Sequence, residues 1–553
     1  MDNAWPRLSA LSSFGAMNMN QLTQSRAVVA DYIVVGTGSA GSVVAEGLTA
    51  DPSNTVVVLE AGAEDSDKRI HIPATWSHLF RTDVDWDYLT EPQQQLNGRQ
   101  IYWPRGRTLG GSSSMNAMMW VRGFAADYDE WALHAGDEWA FARMVQYFKR
   151  IEGVQGAAEA DQGTRGPIHV SKQRSPRRST AAWLEAVKQS GYSVERPNLP
   201  QPNGFTETMV TQRRGARWST ADAYLRPALR RKNLRLLTKA TVGRVVFENA
   251  RAVGVEFEKD GRWQFVRARR EIVLCAGVVN SPQLLMLSGV GHGDHLQQVG
   301  IRTIHHSPEV GENLHDHLVA ALGFEVGADS LFTAGTPRQI LNYLIRRRGM
   351  LTSPAGEAYG FVRSDPELAL PDLELFFGPA PFFDEGLAAP NGHGVLLGAI
   401  LLKPHSRGRL WLRSHDPKAK PAIDPQYLSD SGGADRAALT EGLRMSAQIA
   451  AAPALKEVLG SMVRPLGATD ATEDALATAI NAESHTMYHP VGTCRMGADP
   501  ESVVTPQLLV RGVLGLRVAD ASVMPNIVRG HTHAASVLIG AKAVDLITAA
   551  KRG

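Results

Sequence analysis

Histidine changes charge nearest neutral pH, so clustered histidines are the first place to look for proton transfer or metal binding. Residues 483–497, ESHTMYHPVGTCRMG, hold His485 and His489 together with Cys494 and Arg495. A second cluster, NLHDH, contains His315, Asp316 and His317, and a third, GHTH, contains His531 and His533. Such groups could bind a metal, present a thiol, move a proton or pack in a core. His485 and His489 have the i,i+4 spacing of zinc ligands on a helix. Pro490 disfavours helical geometry at His489, however, and no carboxylate follows at a ligand spacing, so no metal is expected. Cys494 could be a nucleophile or a buried, inert thiol. On its own residues, His489 reads first as a satisfied core histidine and only second as a base.

The elements that must position these groups begin at residues 31–62, DYIVVGTGSAGSVVAEGLTADPSNTVVVLEAG. Ile33, Val34 and Val35 form a buried strand, Gly36, Gly38 and Gly41 a glycine turn, and the residues to Leu48 an apolar-periodic helix. Val56, Val57, Val58 and Leu59 form a second strand that ends at Glu60: a βαβ unit with parallel strands. Gly36 permits the tight turn, Gly38 lets the backbone approach a pyrophosphate, and Gly41 lets helix pack on strand. The helix N-terminus attracts phosphate. Glu60 can accept both ribose hydroxyls, and its charge repels a 2′-phosphate, which favours NAD or FAD. The fingerprint alone does not choose between them.

Further along, residues 104–123, PRGRTLGGSSSMNAMMWVRG, form a loop leading into a helix. Residues 270–291 predict a strand, a turn at Gly277 and a helix begun near Ser281 and Pro282. Residues 219–232 look helical, and 436–451 predict an amphipathic helix. The last region predicts a strand, a turn and a helix with Val537, Ala541, Val544 and Ile547 inward and Lys542 and Asp545 outward.

The whole chain has 553 residues, 43% hydrophobic and 21% charged, as in soluble globular proteins. Lys+Arg 58 against Asp+Glu 56 leaves +2, and no nucleic-acid partner is expected. The basic runs at 174–179 and 346–348 read as solvated surface. Two cysteines, Cys275 and Cys494, make no disulfide framework. Residues 1–29 make a poor signal peptide and read as a flexible extension. No apolar stretch is long enough to predict a membrane span, and loose association with a membrane surface stays open.

Five ordered segments, VVGTGSAGSVVAEGL…VLEAG, GRTLGGSSSMNAMMWVRG, VLCAGVVNSPQLLMLSGVG, VGENLHDH and YHPVGTCRMG…LRVADASVMP…GHTHAASVLIGAKAVDLI, resemble the glucose–methanol–choline oxidoreductases, a family of FAD enzymes. The match runs from about residue 31 to the C-terminus, nearest the choline-dehydrogenase-like and alcohol-dehydrogenase-like branch. It implies an α/β protein with a Rossmann-like FAD-binding domain (30–170, 215–320 and 480–553). Interleaved with it is an α+β substrate domain on an antiparallel sheet (171–214 and 321–479).

The resemblance also implies that FAD contacts Gly36, Gly38, Ser39, Ala40, Gly41, Glu60 and Ala61. Arg105, Thr108, Leu109, Gly110 and Gly111 should wrap the pyrophosphate side, and Asn116, Ala117, Met118 and Met119 should lie along the flavin. Val242 should meet the adenine, Ala276, Asp520 and Ala521 the rest of the cofactor, and the His533 backbone the flavin pyrimidine ring. Some relatives link flavin covalently through a histidine just before the asparagine. Met115 stands there, so noncovalent FAD is expected.

The implied reaction oxidises the CH–OH group of an alcohol to an aldehyde by hydride transfer to flavin N5. His489 would be the base, and His531 would hold the substrate oxygen. Electrons would pass to a quinone-like acceptor or O₂. In choline enzymes aromatic faces and a carboxylate hold the ammonium. Here Glu357 keeps the carboxylate, but Ala355 and Gly356 replace larger side chains, which favours an uncharged primary alcohol. Tyr359, Phe376, Phe377, Phe382 and Phe383 are candidates for an apolar pocket, Glu357 and Tyr359 being the substrate contacts expected. The alternatives are choline oxidation, or non-redox net chemistry as in hydroxynitrile lyases and photodecarboxylases. A cytoplasmic protein is expected, with peripheral association with the inner membrane left open.

Overall fold

The computed structural model describes residues 28–157, 160–382, 384–388 and 391–552. The expected extension 1–29 lies outside the described residues except for Val28 and Val29, which already belong to the first strand.

Strand β1 (Val28–Val35), helix α1 (Gly41–Thr49) and strand β2 (Val56–Leu59) build the predicted βαβ unit, β1 and β2 pairing in parallel with Ile33 opposite Val57. Three further runs, β3 (Leu234–Leu237), β4 (Thr241–Glu248) and β5 (Arg251–Lys259), precede the long β6 (Arg262–Leu274). The sheet order is β3–β2–β1–β6–β5–β4, with Leu516–Val518 also on β6. The chemistry of β6 changes along its length. Its alternating first half pairs antiparallel with β5, and its continuous apolar end, IVL, enters the parallel core between β1 and Leu516–Val518. A parallel strand covered on both faces has no polar side to present.

Helix α2 (Gly277–Leu287) follows. It starts four residues earlier than expected, so Pro282 sits in its interior rather than in its first turn. The carbonyl that Pro282 leaves without its N–H donor is that of Val278. The Thr493 hydroxyl donates to it at 2.6 Å, which removes the cost of an orphaned acceptor.

The second sheet contains β7 (Leu318–Val326), β8 (Ala358–Val362), β9 (Leu373–Gly378), β10 (Gly394–Leu401) and β11 (Leu459–Arg464). Its order is β11–β7–β10–β9–β8–(Phe205–Glu207), antiparallel throughout, with His485–Thr486 also pairing β7. β7 crosses the expected domain limit at 320, and His485–Thr486, expected with the cofactor domain, belongs to this sheet. The predicted amphipathic helix, α3 (Ala434–Ala450), lies on it; at Gly442 a Cβ would come 2.5 Å from the Ala399 Cβ, so helix and strand approach closely.

The expected helix over 219–232 is a short π-turn, Ala221–Leu225, followed by one turn of α-helix. The C-terminal helix, Thr532–Arg552, is the one described helix with the length and composition of a membrane span, but 61% of that stretch is buried in the protein. Lys542 does not face outward. It is 4% exposed, donates to the Glu138 carbonyl at 3.0 Å and lies near the Trp139 and Tyr147 rings, its long stem fitting an apolar surface.

Candidate active site

Residues from both sheets line one cavity of about 780 Å³. Its first part is made of backbone. Gly36 has φ +95°, and a Cβ there would lie 2.5 Å from the Cys275 carbonyl oxygen; at Gly41 a Cβ would lie 2.1 Å from the Gly36 carbonyl oxygen. Gly38 differs: a Cβ would meet only the Gly111 Cα, at 4.0 Å. Its bare backbone faces open space at the N-terminus of α1, the cradle that a pyrophosphate requires. Ser39, Ala40, Arg105 and Gly111 border the same space.

Glu60 is held before any ligand arrives. Its Oε2 accepts from the Thr37 N–H (2.9 Å) and hydroxyl (2.6 Å), and its Oε1 accepts from the Gly62 N–H (2.8 Å). Burial pushes its pKa up, against these hydrogen bonds. Ala61, Val242 and Ala276 line the cavity with it, as do Asp520, Ala521 and His533. Asp520 also accepts from the Gly277 N–H (2.9 Å), at the first turn of α2. His533 shares a 3.0 Å hydrogen bond with the Ser39 hydroxyl, and burial lowers its pKa to about 4.

Asn116, Ala117, Met118 and Met119 also line the cavity. Asn116 Oδ1 accepts from the buried Arg217 guanidinium at 2.6 Å, which fixes the loop from beneath. Gly41, Thr108, Leu109 and Gly110, expected to touch the cofactor, lie behind this lining. Gly41 is packed against Gly36, the Thr108 hydroxyl and the Leu109 N–H both donate to the Ala63 carbonyl, and Gly110 takes φ +85° in the turn. These four shape the loop rather than face its contents.

The histidines lie at the other part of the cavity. The His489 and His531 rings are 4.8 Å apart, centroid to centroid. Behind them is His317, in the NLHDH cluster. Its Nε2 is 3.1 Å from the Leu402 carbonyl oxygen, and its Nδ1 is 3.1 Å from His489 Nδ1. A carbonyl only accepts, so His317 Nε2 carries the proton and its Nδ1 must accept from His489 Nδ1–H. That leaves the lone pair of His489 on Nε2, to which no protein group among the described residues is hydrogen-bonded. Burial lowers the His489 pKa well below the ordinary value, with charge on His531, His317 and Arg105 acting in the same direction. His317 is lowered to about 3, by burial first and then by His531. Both rings are therefore neutral at pH 7, and His489 presents a bare nitrogen.

Asp316 of the same cluster accepts from the His489 backbone N–H at 2.8 Å and from the Tyr427 and Thr486 hydroxyls. His315 ties the cluster to the last motif: its Nε2 accepts from the Ile527 N–H at 2.9 Å. His531 Nε2 lies 3.2 and 3.3 Å from the two carboxylate oxygens of Glu374, a fully buried side chain on β9. A carboxylate accepts, so His531 donates from Nε2.

The other candidates fall elsewhere. His485 lines the cavity, but its Nδ1 bonds the Thr486 carbonyl and burial lowers its pKa to about 4. Among the described residues no group of three His, Cys, Asp or Glu side chains could hold a metal. Burial pushes the Cys494 thiol well up. Glu357, expected to touch substrate, does not line the cavity: its carboxylate accepts at 2.6 Å from each of the Ser353 hydroxyl, the Thr180 hydroxyl and the Arg177 N–H. Tyr359 is also absent from the lining, packed against Phe361 behind the His531 ring. Ala355, Gly356, Phe376 and Phe382 do line it, Phe377 stacks on Trp183 in the core, and Phe383 lies outside the described residues.

Sequence reasoning missed Glu374, Arg217 and the orienting role of His317. The available signals were a lone acid in the apolar strand LELFFG and two histidines two residues apart.

A glycine cradle beside an acid-ended strand, opening on an imidazole with a free lone pair, defines a dinucleotide-dependent oxidoreductase. The family follows from comparison: the N-terminal GMC oxidoreductase model matches residues 30–319 and the C-terminal one residues 404–540. The chain belongs to the GMC oxidoreductase family, whose cofactor is FAD, and the cavity has the parts to hold it. It is 64% identical to an uncharacterised GMC-type oxidoreductase of Mycobacterium bovis, over 94% of this chain and 99% of that one. It is 40% identical to the alcohol dehydrogenase [acceptor] of Pseudomonas putida (94% and 95% covered) and 38% identical to the mitochondrial choline dehydrogenase of Homo sapiens (96% and 93% covered). The crystal structure of pyridoxine 4-oxidase from Mesorbium loti superposes with a TM-score of 0.85 at 31% identity, covering 93% of this chain and 98% of that one. The protein is thus an oxidoreductase that passes electrons from a small molecule to an acceptor.

Proposed function

We propose that the protein oxidises an uncharged primary alcohol to the aldehyde. The observation that carries this reading is the bare Nε2 of His489 in a cavity that also holds the glycine cradle. Bound FAD, held without a covalent bond because Met115 offers no nucleophile, supplies the hydride acceptor.

The chain's own residues do the proton chemistry. His489 Nε2 takes the hydroxyl proton, which frees the carbon to release its hydride; a positioned base of this kind is worth roughly 10²–10⁴-fold. His531, its ring fixed by donation from Nε2 to the Glu374 carboxylate, holds the substrate oxygen beside His489. Phe376, Phe382, Met487 and Val319 exclude water and receive the apolar remainder of the substrate. Choline is disfavoured because the Glu357 carboxylate lies outside the cavity lining and is occupied by Ser353, Thr180 and Arg177. A quinone-like acceptor is preferred over O₂ on the likeness to the Pseudomonas alcohol dehydrogenase. A cytoplasmic location is kept as part of this reading.

The test is anaerobic mixing of the FAD-loaded protein with a panel of alcohols, followed by O₂ or a quinone. Bleaching of the flavin by neutral primary alcohols and reoxidation by quinone is expected. Flavin that stays oxidised with every neutral alcohol but bleaches with choline would overturn the substrate assignment.

A further inference from the structure

Beside the cavity the chain carries a helix that packs against almost nothing. Pro337–Arg346, PRQILNYLIR, buries only Tyr343. Ile340 (41% exposed), Leu341 (58%), Leu344 (61%) and Ile345 (71%) form an i, i+1, i+4, i+5 stripe open to solvent. Four adjacent large aliphatic side chains on one exposed helix face are not the scattered apolar residues of an ordinary surface.

The charge on this segment is positive, the nearest acids in sequence being Asp329, which pairs with Arg177, and the buried Glu357. Arg338, Arg346, Arg347 and Arg348 flank it, and residues 330–356 contain no Asp or Glu. The two basic runs that the sequence keeps apart meet here. Arg174 donates to the Arg347 carbonyl at 2.9 Å, Arg348 donates to the Arg174 carbonyl at 3.4 Å, and the Gly349 N–H donates to the Ser175 hydroxyl at 3.0 Å. Arg338, Arg346 and Arg348 make no ion pair among the described residues.

We propose that this helix docks the protein on an anionic bilayer surface, with Leu341, Leu344 and Ile345 in the acyl boundary and the arginines among the headgroups. Ten residues rise only about 15 Å, too short to cross, so the helix lies in the interface. Charge complementarity selects this occupant: an apolar stripe ringed by unpaired arginines matches a negatively charged surface with an apolar interior. The position also fits access to the site. Tyr343, Met350 and Leu351 cluster with Ile72 and Ala74, next to the segment that brings Trp76 and Phe80 to the cavity, and the chain beyond Met350 reaches the lining at Ala355 and Gly356. Docking here sets the cavity beside the lipid phase.

The experiment is flotation of the full FAD-loaded chain with vesicles of phosphatidylcholine, alone or with about one-third phosphatidylglycerol. Wild type should float with the anionic vesicles and not with the neutral ones. Arg346→Gln/Arg348→Gln should bind them roughly 25-fold more weakly, and Leu344→Gln/Ile345→Gln should stay in the soluble fraction. Both variants should keep wild-type flavin reduction by a water-soluble alcohol, which separates docking from folding. Absence of flotation, or flotation indifferent to both variants, overturns the proposal. So does a wild-type dimer that the leucine–isoleucine variant converts to monomer without any vesicle binding, since the face then belongs to a second copy.

Discussion

The two parts of the cavity are built from different material. The cofactor side begins in backbone: Gly36, Gly38 and Gly111 form the surface of its cradle. The histidine side is a network of side chains brought from far apart: His489 from the loop before Pro490, His317 from the entry to β7, Glu374 from β9 and His531 from the turn before the C-terminal helix. Where backbone forms the surface, an added side chain either clashes with the fold or fills the space for the ligand. A side-chain network tolerates partial loss but needs the whole fold.

The largest effects should come from breaking the backbone side, where two neighbouring glycines should behave oppositely. Gly36→Ala forces a Cβ to 2.5 Å from the Cys275 carbonyl at φ +95°, so the chain should lose several kcal/mol and yield little folded protein. Gly38→Ala meets no protein atom nearer than 4.0 Å, so the apoprotein should melt within a few degrees of wild type. Its methyl group would instead occupy the cradle, and flavin content after purification should fall strongly. Equal melting losses in the two variants would break the distinction.

The next largest effects lie in the histidine network. His489→Ala should slow anaerobic flavin reduction roughly 10²–10⁴-fold with flavin content intact. His317→Ala removes the acceptor that holds the His489 tautomer and should cost roughly 10–100-fold, the range typical of partners that orient an imidazole. His317→Gln should recover much of this, because an amide can donate to the Leu402 carbonyl and accept from His489 Nδ1–H at the same time. Equal losses for Ala and Gln would mean that His317 acts through packing alone.

These contrasts explain what could be read from the chain before its fold was known. The βαβ unit was legible because a glycine turn, an apolar helix and an acid at the next strand end all fall within residues 31–62. Helix α3 was legible from its amphipathic period, whereas the antiparallel sheet was implied only by the family resemblance. His489 was legible as a candidate only through its motif. Glu374 was not, because its partner is 157 residues away and nothing in LELFFG marks which face meets a histidine. Glu357 was misjudged for the converse reason: its neighbours in sequence resemble a substrate segment, while Thr180 and Arg177 claim its carboxylate from across the fold.

A smaller effect concerns pH. Burial lowers His317 to about 3 and His485 and His533 to about 4, while His489 and His315 lie well below the ordinary value. The unfolded chain therefore binds more protons than the folded one below about pH 6.5. Stability should be flat with respect to these groups above that pH and should fall from about pH 6.5 toward pH 4. Denaturant midpoints measured across this window check it. Flavin reduction should keep its base down to a lower pH than an ordinary histidine allows, since His489 remains unprotonated.

The smallest effect tests whether the side-chain half of the cavity leaves polar groups waiting for a substrate. Tyr488 lines the cavity next to His489, its ring set edge-on to Phe80, and its buried hydroxyl has no hydrogen-bond partner among the described residues. An unsatisfied buried hydroxyl carries a desolvation penalty, so Tyr488→Phe should leave stability unchanged or raise it by about 1 kcal/mol. If the hydroxyl is satisfied by the bound alcohol, the same change should raise KM severalfold for substrates with a second polar group, and kcat should hold for simple aliphatic ones. Thermal melting and steady-state kinetics on the two substrate types separate the two contributions. A loss of stability without a change in KM would mean that the hydroxyl serves the fold, and that the histidine side of the cavity, like its glycine side, is complete before substrate enters.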